Sequence, residues 1–168
     1  MGRLSAQALL ECHHRDIGVI ELDPNDGEAA PGRRVGCRTY LEQAGIPWST
    51  VHVAVGHGTA RDGYAAASRL LTDHPWLTGL VCGNDCMAMG AYAAIREQGL
   101  RVREDVAVIG IDDQELIADQ VHPALTTVAL PFEEMGQVAV SHLLALMEGE
   151  EVPAETLLPG RIIRRSSA

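Results

Sequence analysis

Lysine is absent, all thirteen basic residues being arginine, a coding bias that carries no functional information. Positive charge is scarce as well. At a formal −10 the chain is poorly suited to hold a phosphate backbone by itself. No run approaches the ~20 apolar residues of a membrane span, and the first residues lack the basic-then-apolar pattern of a secretory signal. The expectation is a cytoplasmic protein with no membrane partner. The four cysteines, Cys12, Cys37, Cys82 and Cys86, show no CxxC spacing, which argues against a paired-cysteine zinc site and leaves reduced, buried thiols. His13 and His14 are neighbours and would point about 100° apart on a helix, so they do not ligate jointly. A GxSxG elbow, an HExxH pair and a P-loop are all missing. The loop GHGTARDG follows a strand and opens a helix, but Arg61 holds the sixth place of the dinucleotide fingerprint, where glycine is required. The sequence therefore offers no catalytic residue, no metal site and no cofactor, and does not read as an enzyme.

What is present is a strand-helix rhythm, clearest in residues 78–113. Residues 79–82 and 106–111 are continuous apolar runs, the pattern of strands covered on both faces. Between them, residues 85–98 carry Met87, Ala88, Ala91, Tyr92, Ala94 and Ile95 at helical spacing, with Gly99 placed to stop the helix. Strand-helix-strand units of this kind are almost always right-handed and parallel. At 168 residues the chain can bury about 70% of its unfolded surface in one core.

The remainder extends the pattern. Residues 4–11 form a short amphipathic helix whose partners are expected upstream of residue 1. Residues 17–22 are the first strand, followed by a polar turn over 23–27. Residues 29–44 make a helix with Val35, Thr39 and Leu41 inward and Gly45 as its stop. Residues 51–55 form a strand, and 60–72 a helix packing through Tyr64, Ala67, Leu70 and Leu71. Beyond Asp113 come a short helix over 114–119, a strand within 124–130 ended by Pro131, a longer helix over 132–147 with Met135, Val138, Ala139, His142, Leu143 and Leu146 at its apolar positions, and a last strand over 157–163. The fold class is α/β, a doubly wound parallel sheet.

In such a sheet, ligands sit beyond the carboxyl ends of the strands. Those ends carry Asp23 and Asn25, His57, Asn84 and Asp85, and Asp112 and Asp113, with Arg33 early in the helix after the first strand. An arginine fork beside carboxylates and an amide suits a small ligand rich in hydroxyls. For Asp85 the preferred reading is a helix cap. For Asp112 a ligand role and a turn role stand equal.

Asn84, Asp85, Met87, Ala88 and Gly90, then Gly99, Leu100, Val102, Asp105, Val106, Val108, Gly110, Asp112 and Asp113, resemble the effector-binding domain of the lactose-repressor/galactose-repressor family of bacterial transcription regulators. The likeness continues through Pro123, Leu125, Thr126, Thr127, Gly136 and the Leu143-Leu144 pair to Arg164 and Ser166. Upstream, His14 with Ile17, and Arg33 with Gly36 and Leu41, fit the same pattern. The resemblance implies a periplasmic-binding-protein-like fold of type I, in which two α/β subdomains close on a small molecule, and it implies that this chain is mostly the C-terminal one. Residues 16–128 and 158–168 would form that subdomain, with 1–15 and 130–157 as remnants of the N-terminal one. By position, Arg33, Asn84 and Asp112 match residues that hydrogen-bond the effector, and Phe132 one that lines the pocket. Gly58 stands where some sugar-binding members carry an aromatic ring, Leu130 replaces a polar residue, and His13 replaces a usual glycine. The implied partners are a sugar or other hydroxyl-rich metabolite, a second copy in a homodimer that uses Ala88, Ala91 and Tyr92, whose alternative role is packing on the sheet, and operator DNA held by a helix-turn-helix preceding Met1. A solute-binding protein of a sugar transporter is the alternative, and a dinucleotide enzyme a more distant third.

Overall fold

In the computed structural model, which describes every residue except Glu28, the strands β1 (Ile17–Leu22), β2 (His52–Gly56), β3 (Gly79–Cys82), β4 (Ala107–Asp112), β5 (Thr126–Ala129) and β6 (Arg161–Ile163) form one sheet in the order β2-β1-β3-β4-β5-β6. All neighbours run parallel except β6, which closes the edge antiparallel to β5. Strand side chains alternate between faces, so each strand feeds two cores. Ile20, Leu80, Cys82 and Val108 meet the helices α3 (Ala60–Asp73) and α4 (Asp85–Glu97) on one face. Val19, Val81, Ala107 and Ile109 meet α1 (Gly2–Glu11) and α2 (Ala29–Gln43) on the other.

The helix α4 buries Met87, Ala88, Ala91, Tyr92, Ala94 and Ile95, the apolar stripe its sequence spacing defines. Ala88, Ala91 and Tyr92 are thus internal packing residues, and the dimer role expected of them has no exposed surface to act through. The helices α3 and α4 cross at Gly63 and Gly90, so closely that a Cβ at Gly90 would lie 1.9 Å from the Ala60 carbonyl oxygen.

Several expectations are corrected. Helix α1 finds its partners within the chain, since Ala6, Ala8 and Leu9 pack in one core with Cys37 and Leu41 of α2. Val35 and Thr39 face solvent, and the inward residues of α2 are Ala30, Cys37 and Leu41. Tyr64 is exposed and hydrogen-bonds Glu97 instead of packing inward. The last strand begins at Arg161, four residues later than expected, beyond Pro159 and Gly160. The short helix after β4 is α5 (Glu115–Ala118), and helix α6 (Phe132–Met147) has the predicted limits, yet none of its residues is buried. His13 sits at φ 66, a backbone conformation that glycine adopts without strain.

Candidate functional site

The site grows from the end of β4. Asp112 and Asp113 lie at φ 116 and φ 57, two consecutive left-handed residues that turn the chain sharply out of the sheet. The turn brings the Asp112 carboxylate to Arg33, whose Nη2 donates to Oδ1 at 2.9 Å. The same guanidinium donates through Nη1 to the carbonyl of Gly83, the residue after β3. One fork therefore ties α2, the end of β3 and the end of β4 together. The two side chains are only 16% and 17% exposed, so the pair is shielded from solvent screening. Burial raises the Asp112 carboxyl above its ordinary range, while the Arg33 charge and hydrogen bonds from Gln114 and Arg33 pull it down.

Asn84 is next to Gly83 on the same rim. Its Oδ1 accepts from the Met87 N–H at 2.8 Å, which makes it the N-cap of α4, and its Nδ2 donates to the Gly58 carbonyl at 2.9 Å. The cap expected of Asp85 thus belongs to Asn84. Asp85 is turned inward and fully buried, with Oδ1 accepting from Thr127 Oγ1 at 2.6 Å and Oδ2 from the Gln114 N–H at 2.7 Å. Burial pushes its carboxyl up to about 6 against the pull of those two bonds. It braces the start of α4 against β5 and the loop after β4 from behind the site.

An open cleft of about 740 Å³ lies in front. Its lining includes Asp112 and Asp113, the apolar Leu130 and Phe132, and the charged Glu133, Glu134 and Arg161. Phe132 is 61% exposed and presents its ring to this space. The arrangement offers several carboxylate acceptors, a guanidinium and one aromatic surface, a set suited to a small molecule bearing hydroxyl donors.

Of the four site residues expected from sequence, Arg33 and Asp112 are in direct contact and Phe132 shares the cleft with Asp112. Asn84 stands beside Gly83, to which Arg33 is bonded, with both ends of its amide already engaged. Sequence reasoning missed Glu133, Glu134 and Arg161 at the cleft and the Asp85–Thr127 brace. The first two lie in a helix that the sequence marks only by its apolar positions, and Arg161 lies within the last strand, where no polar position stands out.

A family model described as a periplasmic binding protein-like domain matches residues 6–168. The HTH-type transcriptional repressor PurR of Yersinia pestis bv. Antiqua (strain Antiqua) is 38% identical over 171 residues, covering 99% of this chain and 49% of that protein. The PurR of Photorhabdus laumondii subsp. laumondii is 38% identical over 167 residues, covering 99% and 48%. The chain thus spans about half the length of these curated relatives. Among solved structures, the Lac repressor bound to ONPG in its repressed state superposes with a TM-score of 0.91 at 32% identity, over 99% of this chain and 50% of that one. The transcriptional regulator CelR in complex with cellobiose gives 0.91 at 32% identity, over 99% and 51%. A regulator from Enterococcus faecium with bound ribose gives 0.86 at 28% identity, over 99% and 61%.

Proposed function

The chain belongs to the periplasmic-binding-protein-like domain family, in its lactose-repressor/galactose-repressor branch, and from that premise we propose that it is the ligand-sensing part of a transcription repressor. The observation that carries the reading is the Arg33 fork, which joins the Gly83 carbonyl to the Asp112 carboxylate, the one of these groups that lines the cleft together with Phe132. A hydroxyl-bearing effector, a sugar above all, would bond to Asp112 and Arg33 and lie against Phe132, with Asn84 reaching it only through the bonding capacity its amide keeps beyond Met87 and Gly58. Binding there shifts the population between two degrees of cleft closure and so changes DNA affinity.

Residues 16–128 and 158–168 form the effector-binding subdomain in this reading, and 130–157 cross to a second one, whereas residues 1–15, expected to go with 130–157, pack through α1 against α2. The apolar, uncovered surface of α6 supports that division. Operator DNA is contacted by a helix-turn-helix outside the span matched here, consistent with the net charge of −10 on this portion. The working state is a cytoplasmic homodimer that uses surfaces other than Ala88, Ala91 and Tyr92. No helix among the described residues is long and apolar enough to cross a membrane. A solute-binding protein of a sugar transporter would share the fold, but the named relatives are regulators.

The full-length protein is titrated calorimetrically with a panel of mono- and disaccharides, and operator binding is measured with and without the tightest. Arg33→Ala and Asp112→Ala are each expected to weaken binding roughly tenfold or more, the effect of losing one charge-assisted hydrogen bond, with an unchanged circular dichroism spectrum. If both variants respond to the sugar as the parent does, the site assignment fails.

A further inference from the structure

We propose that Arg165 is a positioning residue for the cleft, holding Asp113 and through it the left-handed turn that aims Asp112. Its consequence for ligand binding rests on the effector-site reading above. The contact itself does not.

Two consecutive residues other than glycine at positive φ are unfavourable for L side chains and persist only where the surroundings hold them. Asp112 is held from one side by Arg33 at 2.9 Å and Gln114 at 3.5 Å. Asp113 needs its own anchor, and Arg165 Nη1 reaches its Oδ1 at 2.8 Å.

Arg165 can act as an anchor because the chain around it is fastened to the sheet. Its backbone N–H donates to Thr126 Oγ1 at 3.0 Å, and its Nη1 donates to the Leu125 carbonyl at 3.0 Å. The Ser166 N–H donates to the Ala124 carbonyl at 2.9 Å. The fully buried Ser167 donates through Oγ to the Val108 carbonyl at 2.6 Å and accepts from the Thr126 N–H at 2.8 Å. Its own carbonyl takes the Val108 N–H at 2.9 Å. Residues 165–167 are therefore stitched to both β4 and β5, and the guanidinium has little freedom to move.

Arg165 also meets Asp119, Nε to Oδ1 at 2.6 Å, but the two contacts differ in weight. The Asp119 side chain is 53% exposed, so water and salt screen that pair, whereas Asp113 is 24% exposed. The contact that matters is the one to the strand end.

The reporter is the Gln114 amide, next in the chain, which donates to Asp85 only while the turn is in place. In amide hydrogen exchange followed by NMR, Arg165→Ala is expected to speed exchange of Gln114 roughly fivefold or more, the effect of removing one close ion pair largely shielded from solvent, and to leave Leu80 and Val81 in β3 unchanged. Asp113→Asn should reproduce the change, Asp119→Asn should not, and Arg165→Lys should restore most of the protection by keeping a cation against Asp113. Unchanged Gln114 exchange in both Arg165→Ala and Asp113→Asn overturns the proposal, as does acceleration spread evenly over β3, β4 and β5. A loosened Gln114 in a protein whose parent binds no sugar would support the contact and count against the effector reading alone.

Discussion

Thr127 donates its hydroxyl to the Asp85 carboxylate at 2.6 Å across 42 residues of chain, and neither side chain has access to solvent. The bond joins the first residue of α4 to β5, and the carboxylate's other oxygen holds the Gln114 amide. A charge buried in this way is stabilised by its two donors and opposed by the loss of water.

That balance gives stability a pH dependence. The carboxyl is moved from an ordinary 3.8 to about 6, mainly by burial. Between those values the folded chain holds a proton that the unfolded chain has released, so stability falls as pH rises through the window, by an amount on the order of 3 kcal/mol. Asp85→Asn can keep both contacts, its oxygen accepting from Gln114 and its amide donating to Thr127. Urea denaturation at a series of pH values from 4 to 7 is expected to show a distinctly shallower decline for the variant. An unaltered slope would rule out Asp85 as the source.

The crossing of α3 and α4 predicts a steric effect. A methyl at Gly90 would meet the Ala60 carbonyl oxygen at 1.9 Å and the Tyr64 nitrogen at 2.6 Å, both backbone atoms that cannot rotate away. Gly90→Ala is expected to lower unfolding free energy by about 3 kcal/mol or more, through forced separation of two packed helices. Gly99→Ala, at φ 75 with nothing near its Cβ, should cost only about 1 kcal/mol. Comparable losses for the two variants would show that the crossing is not tight.

Helix α6 predicts the opposite kind of result. Leu144 is 54% exposed and contributes to no core, so Leu144→Glu is expected to change the stability of this portion by less than about 0.5 kcal/mol. Leu9→Ala, at a fully buried position of α1, should cost about 2–5 kcal/mol. Denaturation midpoints of the two variants measured side by side decide the matter, and a cost above about 1 kcal/mol for Leu144→Glu would mean that α6 is covered.

What the sequence determined by itself was the order and type of the elements and the inward stripe of α4, because strand and helix periodicities are local and Gly99 marks a helix end with its own conformation, at φ 75. It also brought Arg33 and Asp112 under suspicion together, since strand ends of a parallel sheet collect on one edge. Only the tertiary structure decided which polar groups are engaged. Asn84 and not Asp85 caps α4, because the backbone after Gly83 directs the first side chain to the helix end and the second into the core. The apolar pattern of α6 was equally legible, but burial is a property of two surfaces, and among the described residues none buries that helix. The contact itself, between charges 79 residues apart in the chain at Arg33 and Asp112, requires α2 to pack on the sheet beside the end of β4, and only the fold supplies that.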